Sequence, residues 1–160
     1  MHLTPRDAEK RPAASFRRLS RDEMNQAALV HRASFDDCLP WLAGLHTPAE
    51  DRAYFRDQVF PQHEVWGAVD GGLIGFIAFR DGWIEQFYVL PSQQGRGVGG
   101  ALLDIAKATF PELHPRTSQQ NAPARRFYER RGFAALEETD GSRNEEREPD
   151  ILYRWRQSAC

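Results

Sequence analysis

Four glycines crowd the stretch Gln93-Gln94-Gly95-Arg96-Gly97-Val98-Gly99-Gly100, two residues after a proline. A loop so poor in side chains lets its amides converge on one anion, and a helix starting behind it adds its positive end. A diphosphate is the obvious guest. Each exposed helix-end contribution is only about 0.3–1 kcal/mol, so several amides must act together to hold a nucleotide. Three readings compete for the stretch: two known phosphate loops and a glycine-rich turn with no ligand. The NTPase type needs lysine and then Ser or Thr after the last glycine, where this chain has Ala101 and Leu102. Gly95, Gly97 and Gly100 do satisfy G-x-G-x-x-G. That loop, however, follows a run of antiparallel strands and lacks the βαβ setting of a dinucleotide site. No metal is expected: no two histidines have ligand spacing, and His63-Glu64 lacks the rest of H-E-x-x-H. Cys38 has no visible histidine partner for a covalent route.

The elements that must hold this loop are legible from hydrophobic period. Val65 to Val69, Leu73 to Phe79 and Trp83 to Leu90 read as three antiparallel strands, joined at Asp70-Gly71-Gly72 and Asp81-Gly82, where Asp-Gly supplies the positive φ of tight turns. Pro91 stops the third strand, and after the glycines Val98, Ala101, Leu102, Ile105 and Ala108 fall at helical spacing up to Pro111. Upstream, Ser15 to Leu19 is long enough for a strand. Ser20 with Glu23, and Thr47-Pro48 with Glu50, are capping boxes opening two helices that Pro40 and Pro61 close. Downstream, a strand near Leu113 to Thr117 carries Pro115, which confines it to an edge or a splayed position. A helix then runs from an Asn121 cap through Ala124, Phe127 and Tyr128 to Gly132. Phe133 to Thr139 and Ile151 to Trp155 are two final strands, with a solvated acidic loop, Asp140 to Asp150, between them. With no repeat or linker, the chain reads as a loose tail over 1–14 and one α+β domain over 15–160.

Gln94-Gly95-Arg96-Gly97-Val98-Gly99 matches the Q/R-x-x-G-x-G/A signature of the GCN5-related N-acetyltransferases. Asn121-Ala122-Pro123-Ala124-Arg125-Arg126-Phe127-Tyr128-Glu129-Arg130-Arg131-Gly132-Phe133 resembles that family's N-x-x-A-x-x-F-Y-x-x-x-G-F. The resemblance extends to the order of elements from about Ser15 to Arg156. It implies a three-layer fold whose mixed, mostly antiparallel sheet is splayed between strands 4 and 5, with acetyl-CoA in the gap. The amides of Gly95, Arg96, Gly97, Val98, Gly99 and Gly100 would cradle its pyrophosphate, with Gln94 leading the loop. The Phe87, Tyr88 and Val89 backbone would pair with the pantetheine arm, and the Val89 amide would polarise the thioester carbonyl. Asn121 would contact the arm, Phe127 would line it, and Tyr128 would protonate the departing thiolate. Plainer roles stand beside these: a helix cap for Asn121, core packing for Phe127 and Tyr128.

The resemblance also implies a base near neutral pH. Glu85 is the first candidate, because the period of two along its strand places it on the face of Phe87 and Val89. A salt bridge is its alternative role, and His63, Glu64, His114 or a water chain are alternative bases. The implied reaction is direct attack of a primary amine, on a small molecule or a peptide, on acetyl-CoA in a ternary complex. A CoA-binding sensor of the same fold without turnover is the rival. The acceptor side implied by the family, roughly Phe35 to Phe60, carries Asp36, Asp37, Trp41, Glu50, Asp51, Tyr54 and Asp57, a set suited to a cationic amine.

Composition agrees without deciding. With 160 residues, 41% hydrophobic and 28% charged, the chain has the balance of one globular domain. Two cysteines and no apolar leader point to a reducing, cytoplasmic setting, and neither a membrane nor nucleic acid is an expected partner. Family members commonly pair, so a homodimer is possible. The net charge of -2 hides a local excess. Between Gln93 and Arg131, Arg96, Lys107, Arg116, Arg125, Arg126, Arg130 and Arg131 outnumber Asp104, Glu112 and Glu129, and the reading assigns Arg96 or Arg125 to the phosphates.

Overall fold

The segment Leu73 to Phe79 is apolar without alternation because both of its faces are covered: in β3 (Leu73–Arg80) every residue but Arg80 is buried. The computed structural model describes residues 14–158. The tail expected over 1–14 therefore lies, apart from Ala14, outside the described residues, as does Cys160. The other strands are β1 (Ser15–Arg18), β2 (Glu64–Val69), β4 (Trp83–Val89), β5 (Glu112–Ser118), β6 (Ala134–Glu138) and β7 (Asp150–Arg156). They form one seven-stranded sheet of order β1-β2-β3-β4-β5-β7-β6, antiparallel except where β4 meets β5.

Helices cover both faces. On one lie α1 (Met24–Cys38) and α2, which runs over Pro48–Tyr54, widens into a π turn at Phe55–Val59 and finishes in Phe60–Gln62. Met24, Ala27, Phe55 and Val59 pack there against Phe76 and Ala78. On the other lie α3 (Val98–Thr109) and α4 (Ala122–Glu129), with Leu102, Leu103, Ala106 and Tyr128 packed against Ile77, Phe79 and Ile84. The alternation of β3 thus feeds two cores, and the molecule is the three-layer α+β fold expected.

Both capping boxes form, around Ser20 with Glu23 and Thr47 with Glu50. Pro61 does not close its helix as expected: it sits inside the last turn, where the preceding π turn has already loosened the ladder it cannot join. Asp81 and Gly82 take φ of 52° and 83°, the two positive angles that a two-residue hairpin needs.

β4 pairs with β5 at only two positions, Trp83↔His114 and Ile84↔Pro115. Pro115 has no N–H to give, and it lies where the two strands part. On its other side β5 remains joined to β7, at Leu113↔Trp155 and again at Arg116↔Leu152. A stack of Trp83 on His114, ring centroids 4.9 Å apart, closes the apex of the resulting wedge.

Candidate active site

The wedge is a cleft of about 740 Å³, walled by β4, β5, α4, the glycine loop and the C-terminal end of α1. Its floor is the edge that β5 leaves bare. Leu90 N–H bonds to the Ile74 carbonyl at 2.8 Å, and the β3–β4 register is unbroken from Gly75↔Val89 to Ala78↔Gln86. Antiparallel pairing alternates, so Tyr88 and Gln86 turn their backbone groups to β3 while Phe87 and Val89 turn theirs into the cleft. The Val89 carbonyl accepts from Ser34 Oγ at 3.0 Å and Gln94 Nε2 at 3.1 Å. The Val89 N–H and both backbone groups of Phe87 remain facing the open space.

At one end lies the glycine loop. Gly95 and Gly97 have φ of 80° and 82°, which side-chain-bearing residues rarely adopt. Gly99 packs closely: a Cβ there would stand 3.2 Å from Phe127 Cε2, and the ring would have to give by a few tenths of an ångström. The first internal bond of α3 runs from Ala101 N–H to the Gly97 carbonyl, so the amides of Val98, Gly99 and Gly100 have no partner one turn back. The Val98 side chain itself is core.

The wall opposite β4 is α4. The Asn121 carboxamide oxygen accepts from Ala124 N–H at 3.1 Å, so the cap forms, and the residue also faces the cleft. Phe127 meets Phe87 edge to face, centroids 5.6 Å apart, and Tyr128 continues the aromatic group. Tyr128 is only 6% exposed and lines the cleft. Burial pushes its phenol well above the ordinary tyrosine range, so it stays protonated. Among the described residues its hydroxyl has no hydrogen-bond partner.

Several assignments move. Arg96 turns to Gln93 and to Asp70, at 3.4 Å from Asp70 Oδ2, and Arg125 binds the Gln119 carbonyl at 3.2 Å and the Tyr153 hydroxyl at 3.4 Å. Neither lines the cleft, whereas Arg126, Arg130 and Arg131 do. Arg131 lies over the Phe127 ring, 3.8 Å from its centroid, against Gly100. Spacing held this signal: Arg126 with Arg130, and Phe127 with Arg131, are i,i+4 pairs.

Glu85 lines the cleft, but not from the face that the strand period predicts. The register passes from Ala78↔Gln86 to Phe79↔Ile84, which leaves Glu85 as the extra residue of a β-bulge. The period of two breaks there, and Glu85 does not share the face of Phe87 and Val89. It points to the α1–α2 side, with Oε1 3.3 Å from Arg80 Nη2 and Oε2 3.1 Å from His63 Nε2. His63 Nδ1 lies 2.8 Å from the Val59 carbonyl, so that nitrogen carries a proton. The contact to Glu85 is a close polar approach off the line of a ring N–H.

The acidic set on the acceptor side is largely spent inside the protein. Asp51 is buried in a two-bond pair with Arg32, which also holds Asp36. Asp57 pairs with Arg56, and Glu50 with His46. Nor is the loop after β6 simply solvated: Asn144, Glu146, Glu148 and Asp150 line the cleft. Among the described residues, no three His, Cys, Asp or Glu side chains gather as a metal site, and no helix is long and apolar enough to cross a membrane.

Comparison with known proteins meets the same site. The model of the acetyltransferase (GNAT) domain matches residues 61–135, from the end of α2 to β6. The chain is 36% identical over 73 residues to the peptidyl-lysine N-acetyltransferase YiaC of Escherichia coli, an alignment covering 45% of this chain and about half, 49%, of that protein. It is 28% identical over 124 residues to the peptidyl-lysine N-acetyltransferase YjaB of E. coli, covering 74% of this chain and 81% of YjaB. The solution structure of apo YjaB superposes with a TM-score of 0.75 at 22% identity, covering 91% of this chain and 99% of that one. The PaiA N-acetyltransferase of Thermoplasma acidophilum in complex with coenzyme A superposes with a TM-score of 0.64 at 21% identity, covering 90% and 99%. Both signature motifs, the split sheet and these relatives agree in supporting the GNAT family of acetyltransferases for this chain.

Proposed function

We propose that the protein transfers the acetyl group of acetyl-CoA to the side-chain amine of a peptidyl lysine, by direct attack of the amine in a ternary complex. The observation that carries this reading is the bare edge of β4. Phe87 and Val89 offer amides to a cleft that continues, past the Phe127 ring, into a loop of unengaged amides. That surface fits an extended amide-bearing arm ending in a diphosphate. The named activity of YiaC and YjaB and the coenzyme A held by PaiA support the same donor and acceptor.

Each wall then has a task. The glycine-loop amides and the guanidiniums of Arg126, Arg130 and Arg131 meet the phosphates. The Val89 N–H meets the negative charge that grows on the thioester oxygen as the amine attacks. Tyr128 gives its proton to the leaving sulfur. Glu85, on the α1–α2 face from which the amine arrives, takes the proton the amine must lose, directly or through water, with His63 behind it. Cys38 is unsuited to a covalent relay, because burial and the Asp37 charge raise its thiol rather than favouring a thiolate.

The test is a thermal-shift panel followed by rates. Acetyl-CoA at 100 times its dissociation constant is expected to add about 2.7 kcal/mol, and NADH nothing. Thiol release with a lysine peptide, giving intersecting initial-rate lines, supports direct transfer. Parallel lines would overturn the ternary complex, and acetyl-CoA binding without thiol release on any amine would make the protein a sensor.

A further inference from the structure

We propose that Glu146 is the specificity residue that selects a cationic acceptor, held in the cleft wall by a loop strapped across to the α1–α2 connection. The proposal rests on the transferase reading and names what that site accepts. The connection from β6 to β7 is internally braced: Asn144 Nδ2 donates to the Glu148 carbonyl at 2.7 Å, and Glu148 N–H returns to Asn144 Oδ1 at 3.1 Å. It is also tied outward at two points. Trp41 Nε1 donates to Glu148 Oε1 at 2.5 Å, and His46 Nε2 lies 2.7 Å from Glu145 Oε1.

Between those anchors the neighbouring acids divide. Glu145 goes to His46 and Glu148 to Trp41 and Gln120, while Asp150 bonds Thr139 and stands 3.7 Å from Arg116. Glu146 turns into the cleft and, among the described residues, has no cationic or hydrogen-bonding partner. A half-buried carboxylate without a partner is costly unless a ligand supplies one. The same cleft holds the 94% buried Tyr128, whose hydroxyl is likewise without a partner among the described residues, so the space is built to receive a polar group. Across the cleft, exposed Asp37 is a second acid without an ion pair among the described residues.

The charge of the cleft is therefore divided. Arg126 stands on α4, Arg130 and Arg131 in the turn that ends it, and Glu146 and Asp37 on the strapped loop and the end of α1. An anionic donor and a cationic acceptor are drawn to different walls, and an anionic acceptor is rejected by Glu146. A lysine side chain suits this arrangement. It arrives as the ammonium, is recognised by Glu146, and passes its proton to Glu85, directly or through water, before the amine attacks the thioester carbonyl.

The probes are an Nα-blocked lysine peptide and the same peptide with glutamates flanking the lysine, in thiol-release assays of the wild type, Glu146→Gln and Glu146→Asp. Loss of a charge-assisted contact predicts a KM for the neutral-flanked peptide raised about tenfold or more in Glu146→Gln, with kcat and the acetyl-CoA KM within about twofold. Wild-type KM rises with salt, and that dependence fades in Glu146→Gln but is kept in part in Glu146→Asp. The glutamate-flanked peptide, poor for the wild type, gains relative to the other in Glu146→Gln. An unchanged peptide KM and salt dependence in a variant that still responds thermally to acetyl-CoA overturns the assignment and leaves the transferase reading intact. Should the wild type turn over neither peptide, calorimetric titration of the neutral-flanked peptide in the presence of CoA decides. Binding that Glu146→Gln abolishes keeps the assignment, and absence of wild-type binding overturns it.

Discussion

The Ser34 hydroxyl donates to the Val89 carbonyl at 3.0 Å, tying α1 to the last residue of β4 across the mouth of the cleft. Ser34 is buried, and Gln94 Nε2 reaches the same oxygen from the glycine loop at 3.1 Å. The peptide between Val89 and Leu90 is thus fixed at both ends, since Leu90 N–H is held by the Ile74 carbonyl. Acceptor helix, reactive strand and phosphate loop meet on one carbonyl.

Ser34→Ala removes one of the two donors and leaves Gln94. The expected cost is about 0.5–1.5 kcal/mol of stability, read by urea unfolding, together with a raised KM for acetyl-CoA as the end of β4 loosens. An unchanged unfolding midpoint and KM would mean that Gln94 alone holds the strand.

Tyr128 is a proton donor whose ordinary ionisation has been moved out of the way. Burial raises its phenol, so the donor form persists across the pH range in which an amine acceptor is deprotonated. Tyr128→Phe keeps the ring against Phe87 and Phe133 and removes only the hydroxyl that carries the proton. Turnover is expected to fall by about 10²- to 10⁴-fold with little change in acetyl-CoA affinity. Equal turnover in the variant would move the proton to water.

The arginines separate what was legible from what was not. A basic excess between Gln93 and Arg131 is visible in the chain, but which guanidiniums face the cleft depends on the rotation of α4, and Arg125 falls toward Tyr153. Arg126→Ala with Arg130→Ala is expected to weaken acetyl-CoA binding about fivefold or more and to flatten its salt dependence. Arg96→Ala with Arg125→Ala should leave affinity within about twofold. Calorimetry on the two double variants decides between them.

Element order, the two motifs and both capping boxes could be read from the chain because they are local: a turn, a cap or a helical stripe is set by residues within a few positions of one another. The splay came from the family resemblance, since Pro115 alone left an edge or a splayed position open. Three features were not legible. The bulge at Glu85 is a register slip between strands, and nothing in Trp83 to Val89 marks it. The neutralisation of Asp51 by Arg32 needs α1 and α2 side by side. The strap joins Trp41 to Glu148, 107 residues apart in sequence. Each is a tertiary pairing, invisible to hydrophobic period.

His31 gives the acceptor face a pH dependence of its own. It packs among Phe35, Phe55 and Tyr88, with centroids 5.5, 5.4 and 4.8 Å away, and its Nδ1 is buried without a partner among the described residues. Burial pushes its pKa from 6.5 down to about 4, against a smaller upward pull from Asp51. The folded state therefore holds the neutral ring at pH values where the unfolded chain takes up a proton. As pH falls from about 6.5 to about 4 the unfolded state binds more protons, and stability declines by an amount on the order of 3 kcal/mol. Glu23, held at about 2 by its hydrogen bond to Arg17, contributes a decline of the same sign only as pH falls below about 4.5, so the two windows barely overlap. Urea unfolding at pH 4.5, 5.5, 6.5 and 7.5 is expected to show the slope in the wild type and to lose most of it in His31→Gln. A His31→Gln curve parallel to the wild type across that range would assign the slope to other groups.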